Sequence, residues 1–148
     1  MTDAYLNTVA QYNREAQVRV LTRPYEVGGP LSTELSLYLD AHALPEPGHG
    51  RAVLRAEARM RDVHGVLCLE VTCEVEGIAI SKGLTEEELD NALRTRVGAA
   101  LLGSVRSQMQ HLSSGTGYPL VVLPPVDAGK LLELSAKPGL DAPSMSAE

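Results

Sequence analysis

Phenylalanine and tryptophan are absent from this 148-residue chain, and tyrosine occurs only five times. Leucine, valine and alanine must therefore fill the interior, which at this length is large enough for one domain with its own core. Clustered positive charge is missing too. The net charge is −6, and the densest basic stretch, Arg51, Arg55, Arg59 and Arg61, is interleaved with Glu57 and Asp62. Phosphate neutralisation needs a basic face, so nucleic acid is excluded as a partner. The mixed signs read instead as a solvated strand face. No apolar run approaches the roughly twenty residues of a membrane span, so membrane insertion is not expected. Met1, Thr2, Asp3 and Ala4 lead into no basic and apolar signal region, which points to a cytoplasmic protein.

Only two cysteines occur, Cys68 and Cys73. Five residues apart, they fall on opposite faces of one strand and form no C-x-x-C pair. With no histidine beside them at metal-ligand spacing, they read as two buried thiols in a reducing cytosol. Catalytic motifs are missing as well. Gly129 and Lys130 are followed by Leu131 rather than Ser or Thr, and Pro124 stands where a phosphate-binding loop has its first glycine. No G-x-S-x-G or H-E-x-x-H occurs, and His42, His49, His64 and His111 are scattered. Glu70, Glu74 and Glu76 share one strand face, which reads as an exposed acidic face rather than an acid/base pair. The expectation is a protein that is not an enzyme, with no cofactor, no metal and no catalytic residue.

Three runs alternate with period two. Leu35, Leu37, Leu39, Ala41 and Ala43 share one face, as do Ala52, Leu54, Ala56, Ala58 and Met60, and then Leu67, Leu69, Val71, Cys73 and Val75. Their neighbours are polar, so these runs predict an antiparallel meander with one apolar and one polar face. A fourth strand is expected within 17–27. From residue 85 the period changes. Thr85 and Glu88 make a capping box, and Leu89, Leu93, Val97, Leu101, Val105 and Met109 recur every four residues up to Gly115. A helix over 85–114 follows, with small residues in its middle that suit close approach of another helix or of the sheet. An oligomer interface is expected there, at Val97, Gly98, Leu101 and Gly103. Asp127 caps a short last helix bearing Leu131, Leu132 and Leu134, and 136–148 read as a disordered tail after a single domain over 1–135.

The segment 115–127, GTGYPLVVLPPVD, is apolar yet cannot form a central strand, because Pro124 and Pro125 have no amide hydrogen to give. Plain core and the wall of an open groove are the two readings. The groove reading places Tyr118, Leu120, Val122, Leu123, Leu131 and Leu134 on an apolar surface open to solvent.

Four segments in register resemble the SecB-type protein-export chaperones. They are TCEVEGIAI (72–80), LLGSVRSQMQHLSSGTGYP (101–119), LVVLPPV (120–126) and the weaker PYEV (24–27). The resemblance covers about 17–135 and departs from the family at Gly103 and Ser107, beside Arg106, and in the scarcity of groove aromatics. It implies an α+β fold: a four-stranded antiparallel sheet with a long helix and a short C-terminal helix packed on one face, assembled as a homotetramer, a dimer of dimers. It also implies an ATP-independent holdase for unfolded or nascent polypeptides, serving protein export or guarding an antitoxin. Glu26 and Glu74 match acidic positions that the family presents to the Sec translocase motor ATPase. An oligomeric α+β protein binding a small apolar ligand is the alternative.

Overall fold

The structure of the chain, a computed structural model, describes residues 4–136. The tail expected over 136–148 lies, Ala136 apart, outside the described residues. Four strands, β1 (Tyr5–Val20), β2 (Ser32–Ala43), β3 (His49–Arg61) and β4 (Leu67–Lys82), precede α1 (Glu86–Ala92), α2 (Gly98–Ser114) and α3 (Ala128–Glu133). The sheet order is β1-β4-β3-β2, antiparallel throughout. The predicted meander is thus β2-β3-β4, and the α+β architecture is the one expected. Its tight turn at Gly48 accepts no other residue: φ is +76°, and a Cβ there would lie 2.4 Å from the Ser81 carbonyl oxygen.

The fourth strand is longer and earlier than 17–27. It begins at Tyr5, and Pro24–Glu26 form a 3₁₀ turn instead of its end. The register against β4 shifts at Val9 and again at Arg14. Each bulge flips the inward parity, so no single alternation runs through the strand. Another register shift, between Met60 and Arg61, leaves Cys68 unpaired on β3. Both thiols consequently join the same core cluster, not opposite faces, and both are free.

The helical segment is capped as predicted, with the Glu88 amide donating to Thr85 Oγ1 (3.1 Å) and the Thr85 amide to Glu88 Oε1 (2.9 Å). It is not one uniform α-helix. A wide π-turn occupies Leu93–Val97, closed by the Gly98 amide donating to the Leu93 carbonyl. The sequence explains it. A strict four-residue repeat drifts about 40° per step around an α-helix, about 200° from Leu89 to Met109. One wider turn takes back much of that drift. All six stripe residues are accordingly buried on the sheet.

The close approach expected of helix glycines is made by strand glycines. A Cβ on Gly50 of β3 would meet Leu93 at 2.6 Å, and one on Gly77 of β4 would meet Val97 at 3.0 Å. Gly98 rests at ordinary distance from Leu39 and Leu131 of its own chain, and nothing lies within 4 Å of a Cβ on Gly103. Val97 and Leu101 are 1% and 0% exposed against the chain's own sheet, and Gly98 is buried with them. These three cannot meet a neighbouring subunit. Of the expected interface set, Gly103 alone faces outward, in a shallow depression with Asn13, Ala100 and Ser107.

Candidate functional site: an apolar groove beside strand β2

Beyond α2 the chain runs extended and is fixed by polar anchors. The Ser113 hydroxyl donates to the Met109 carbonyl (2.8 Å) and accepts from the Val121 amide (2.9 Å). The Tyr118 hydroxyl donates to the Thr22 carbonyl at 2.5 Å. Burial, with Cys68 and Glu26 nearby, raises its pKa above the ordinary tyrosine value. Arg106 Nη2 donates to the Pro124 carbonyl (3.1 Å). Within this frame the side chains divide: Tyr118, Val121 and Leu123 point into the core, while Leu120 and Val122 are 52% and 58% exposed.

Asp127 then caps α3, accepting from the Lys130 amide at 2.9 Å. Leu131 on α3 is 1% exposed and belongs to the core; Leu134 packs at its margin. Between this segment and β2 lies a groove of about 490 Å³. Leu35 and Leu37 form its strand wall, and Leu123, Pro124, Pro125 and Val126 the opposite wall, with Lys130 and Leu134 closing one side. The size suits an apolar binding site with few polar groups.

The six groove residues expected from sequence therefore separate. Leu123 and Leu134 line the groove. Tyr118 and Leu131 are core, because each sits beneath the segment rather than on its open side. Leu120 and Val122 are exposed but are not among the lining residues. The strand wall, Leu35 and Leu37, was missed as a site, although their shared inner face was visible in the alternation of β2.

The other face of the sheet carries the charges, and it is not the solvated acidic face expected. Arg55 donates to Glu57 (2.6 Å), Glu15 (2.7 Å) and Glu74 (2.9 Å). Arg59 joins Glu57 (3.2 Å) to Glu70 (3.1 Å), and Arg19 ends the chain of pairs on Glu70 (3.0 Å). In the other direction Arg14 lies 3.1 Å from Glu74 and 3.4 Å from Glu76, and Arg51 lies 3.4 Å from Glu76. Five arginines thus alternate with five glutamates over three strands. Burial opposes the charge of Arg55, but its hydrogen bonds to the three glutamates outweigh it, and its pKa stands above the ordinary arginine value.

Glu57 and Glu76 are each only 2% exposed, and Glu74 is buried beside them. Long guanidinium side chains lying across the strands achieve this, so Glu74 presents no free carboxylate to a partner. Glu26 is exposed, in the 3₁₀ turn. Among the described residues no cluster of His, Cys, Asp or Glu is arranged to hold a metal, and no helix is long and apolar enough to cross a membrane.

No protein-family model and no curated protein matches this sequence. Solved structures do. A Streptococcus agalactiae protein of unknown function matches over 83% of this chain and 99% of that one, at 11% identity and a TM-score of 0.42. A Mycobacterium tuberculosis SecB-like chaperone, solved in complex with a ChAD peptide from the HigA1 antitoxin, matches far better, with a TM-score of 0.68. That match covers 82% of this chain and 91% of that one at 16% identity. With its four-stranded sheet, interrupted long helix and short last helix, this chain has the SecB-like fold.

Proposed function

We propose that this protein is an ATP-independent holdase that binds extended apolar segments of unfolded polypeptides in the groove between β2 and residues 123–134. The observation that carries the reading is the groove itself: both walls are aliphatic, it opens to solvent, and Leu120 and Val122 extend apolar surface along the same segment. Aliphatic side chains without directional polar groups tolerate many client sequences, which a holdase needs. The SecB-like protein of the same fold holds an antitoxin peptide, and a client of that kind fits here better than docking of the Sec motor, because Glu74 is already paired with Arg14 and Arg55. The setting proposed is the cytoplasm, where two free thiols persist.

Self-association is part of the proposal. The outward face of α2 around Gly103 bears the small residues Ala99, Ala100 and Ser107, with nothing within 4 Å of a Cβ at Gly103, and suits helix packing within a homotetramer. The function is tested by diluting a chemically unfolded client into buffer without nucleotide and following light scattering. Suppression at near-stoichiometric protein is expected, with loss in Leu35→Glu, which charges the strand wall. Unchanged suppression by Leu35→Glu refutes the groove as the client site. The alternative, a small apolar ligand, predicts no suppression and saturable binding of the ligand alone.

A further inference from the structure

The groove's outer wall has little backbone structure of its own. Pro124 and Pro125 lack amide hydrogens, and residues 122–126 take part in no backbone pairing among the described residues. Two arginines of the helical run tie this wall to the body of the protein. Arg106 Nη2 donates to the Pro124 carbonyl (3.1 Å), near the start of the wall, and Arg94 Nη1 donates to the Leu134 carbonyl (3.2 Å), at its end. Asp90 Oδ2 lies 3.8 Å from Arg94 Nε and steadies its other side. Between the two points Leu131 is buried in the core. Twelve residues separate the arginines, which on an ideal α-helix sets them about 120° apart. The wide turn at Leu93–Val97 takes out much of that angle and brings both to the side that faces the wall.

We infer that Arg94 and Arg106 are positioning residues of the client site: by clipping both ends of the wall to one helical run, they set the size of apolar side chain that the groove accepts. Neither is among the groove's lining residues, so each acts through the wall. The strand wall cannot give, because Leu35 and Leu37 are paired with Ala58 and Ala56 of β3. The proline wall is the one whose distance from β2 is adjustable. Without the two bonds it is held by the buried Leu123 and Leu131 and by the Ser135 carbonyl bonded to Leu39, none of which fixes the prolines. A rigid apolar pocket discriminates a change of side-chain size by about tenfold or more, and a loosened wall forfeits that discrimination. Arg96 supplies the contrast. It makes the same kind of bond from the same turn, to the Leu6 carbonyl (3.3 Å), but on β1 at the opposite edge of the sheet.

The inference rests on the groove being the client site, and the experiment separates the two. The probes are short fluorescein-labelled peptides of threonine and serine with a lysine at each end, one with valine at its apolar positions and one with tryptophan. Both are titrated by anisotropy into the native protein and its variants. Arg106→Met and Arg94→Met keep the length of the side chain and remove the donor. Each is expected to shift the ratio of the two affinities about fivefold or more towards tryptophan, with the melting temperature within about 3 °C of native. Arg96→Met is expected to leave the ratio within a factor of about two. A merely structural arginine lowers the melting temperature and leaves the ratio alone. An unchanged ratio in Arg106→Met and Arg94→Met, equal loss of both peptides, or an equal shift in Arg96→Met overturns the assignment. If one of the two wall variants does not fold, the other decides. If both peptides bind and Leu35→Glu abolishes that binding while the arginine variants keep the native ratio, the groove stands without the clip. If neither peptide binds the native protein, the groove reading fails and the clip fails with it.

Discussion

Leu131 on α3 and Leu134, which caps its C-terminal end in extended conformation, are three residues apart, and the structure gives them different surroundings. Leu131 is fully buried, and its Cδ2 lies 3.8 Å from where a Cβ on Gly98 would stand. Leu131→Ser removes a packed isobutyl group, which costs about 2–5 kcal/mol for truncation to alanine alone. The serine hydroxyl, left without a partner, adds about 1 kcal/mol or more. A total of about 3–6 kcal/mol is a large share of the roughly 5–15 kcal/mol that holds a domain together. In a chain of this size it lowers the melting temperature by more than about 10 °C. Leu134 is only partly buried and lines the groove. Leu134→Ser forfeits about 1–2 kcal/mol of apolar contact at most, part of it with client rather than with the fold. Urea unfolding and client anisotropy, measured on both variants, read the two effects separately. Leu131→Ser is expected to unfold early and, where still folded, to bind client normally; Leu134→Ser is expected to keep its midpoint and lose several-fold in affinity. Equal destabilisation by the two substitutions refutes the division between core and groove.

Three further outcomes follow from the geometry. Gly103→Leu places a bulky side chain on the open face of α2, where a Cβ meets nothing within 4 Å; static light scattering is expected to report smaller particles with an unchanged far-UV spectrum, and a wild-type monomer ends the tetramer reading. Burial, reinforced by Glu74, pushes the Cys73 thiol up to about 11 from 9.0. Native protein at pH 8 is therefore expected to resist iodoacetamide at this site. The sign for stability follows from linkage: the unfolded thiol ionises first, so the contribution is full below about pH 9 and is lost as pH rises through about 11. Alkylation of Cys73 in the folded state, seen by peptide mass spectrometry, contradicts its burial. Arg55→Ala removes an arginine that serves both Glu57 and Glu74, and is expected to cost about 3 kcal/mol or more in urea unfolding, since each glutamate stays buried with one cationic partner fewer.

Much of the fold was legible because the sequence repeats its message. Strands β2, β3 and β4 each alternate strictly, and the capping box with its four-residue stripe announces the helix. Strand β1 was legible only in its last residues. Its two bulges interrupt the alternation, and as an edge strand it buries little, so few apolar positions mark it. The groove was half legible. The double proline declared a segment unable to pair, which is one wall. The other wall needed the sheet order: Leu35 and Leu37 read as ordinary inward residues until β2 proves to be an edge, where the inner face runs out of cover. Three of the four expected interface residues, Val97, Gly98 and Leu101, turn inward for a related reason. Small residues on a helix signal close approach, but the glycines that permit it here, Gly50 and Gly77, stand on the strands that receive the helix.

The charged face shows why exposure cannot be judged one strand at a time. Along β4 alone, Glu70, Glu74 and Glu76 look like an acidic strip, and along β3 alone, Arg51, Arg55 and Arg59 with Glu57 among them look like a solvated strip of mixed sign. Hairpin pairing sets Arg55 opposite Glu74 and Arg59 opposite Glu70, so the two strips cancel as soon as the register is known. Cross-strand pairs of opposite charge are favourable, and like charges opposite one another are not. The one like pair, Glu15 opposite Glu74, is bridged by Arg55, which donates to both. A face balanced in this way offers little field to steer a charged partner. What it leaves uncovered is apolar surface, and the described residues concentrate a concave piece of it at the edge of β2.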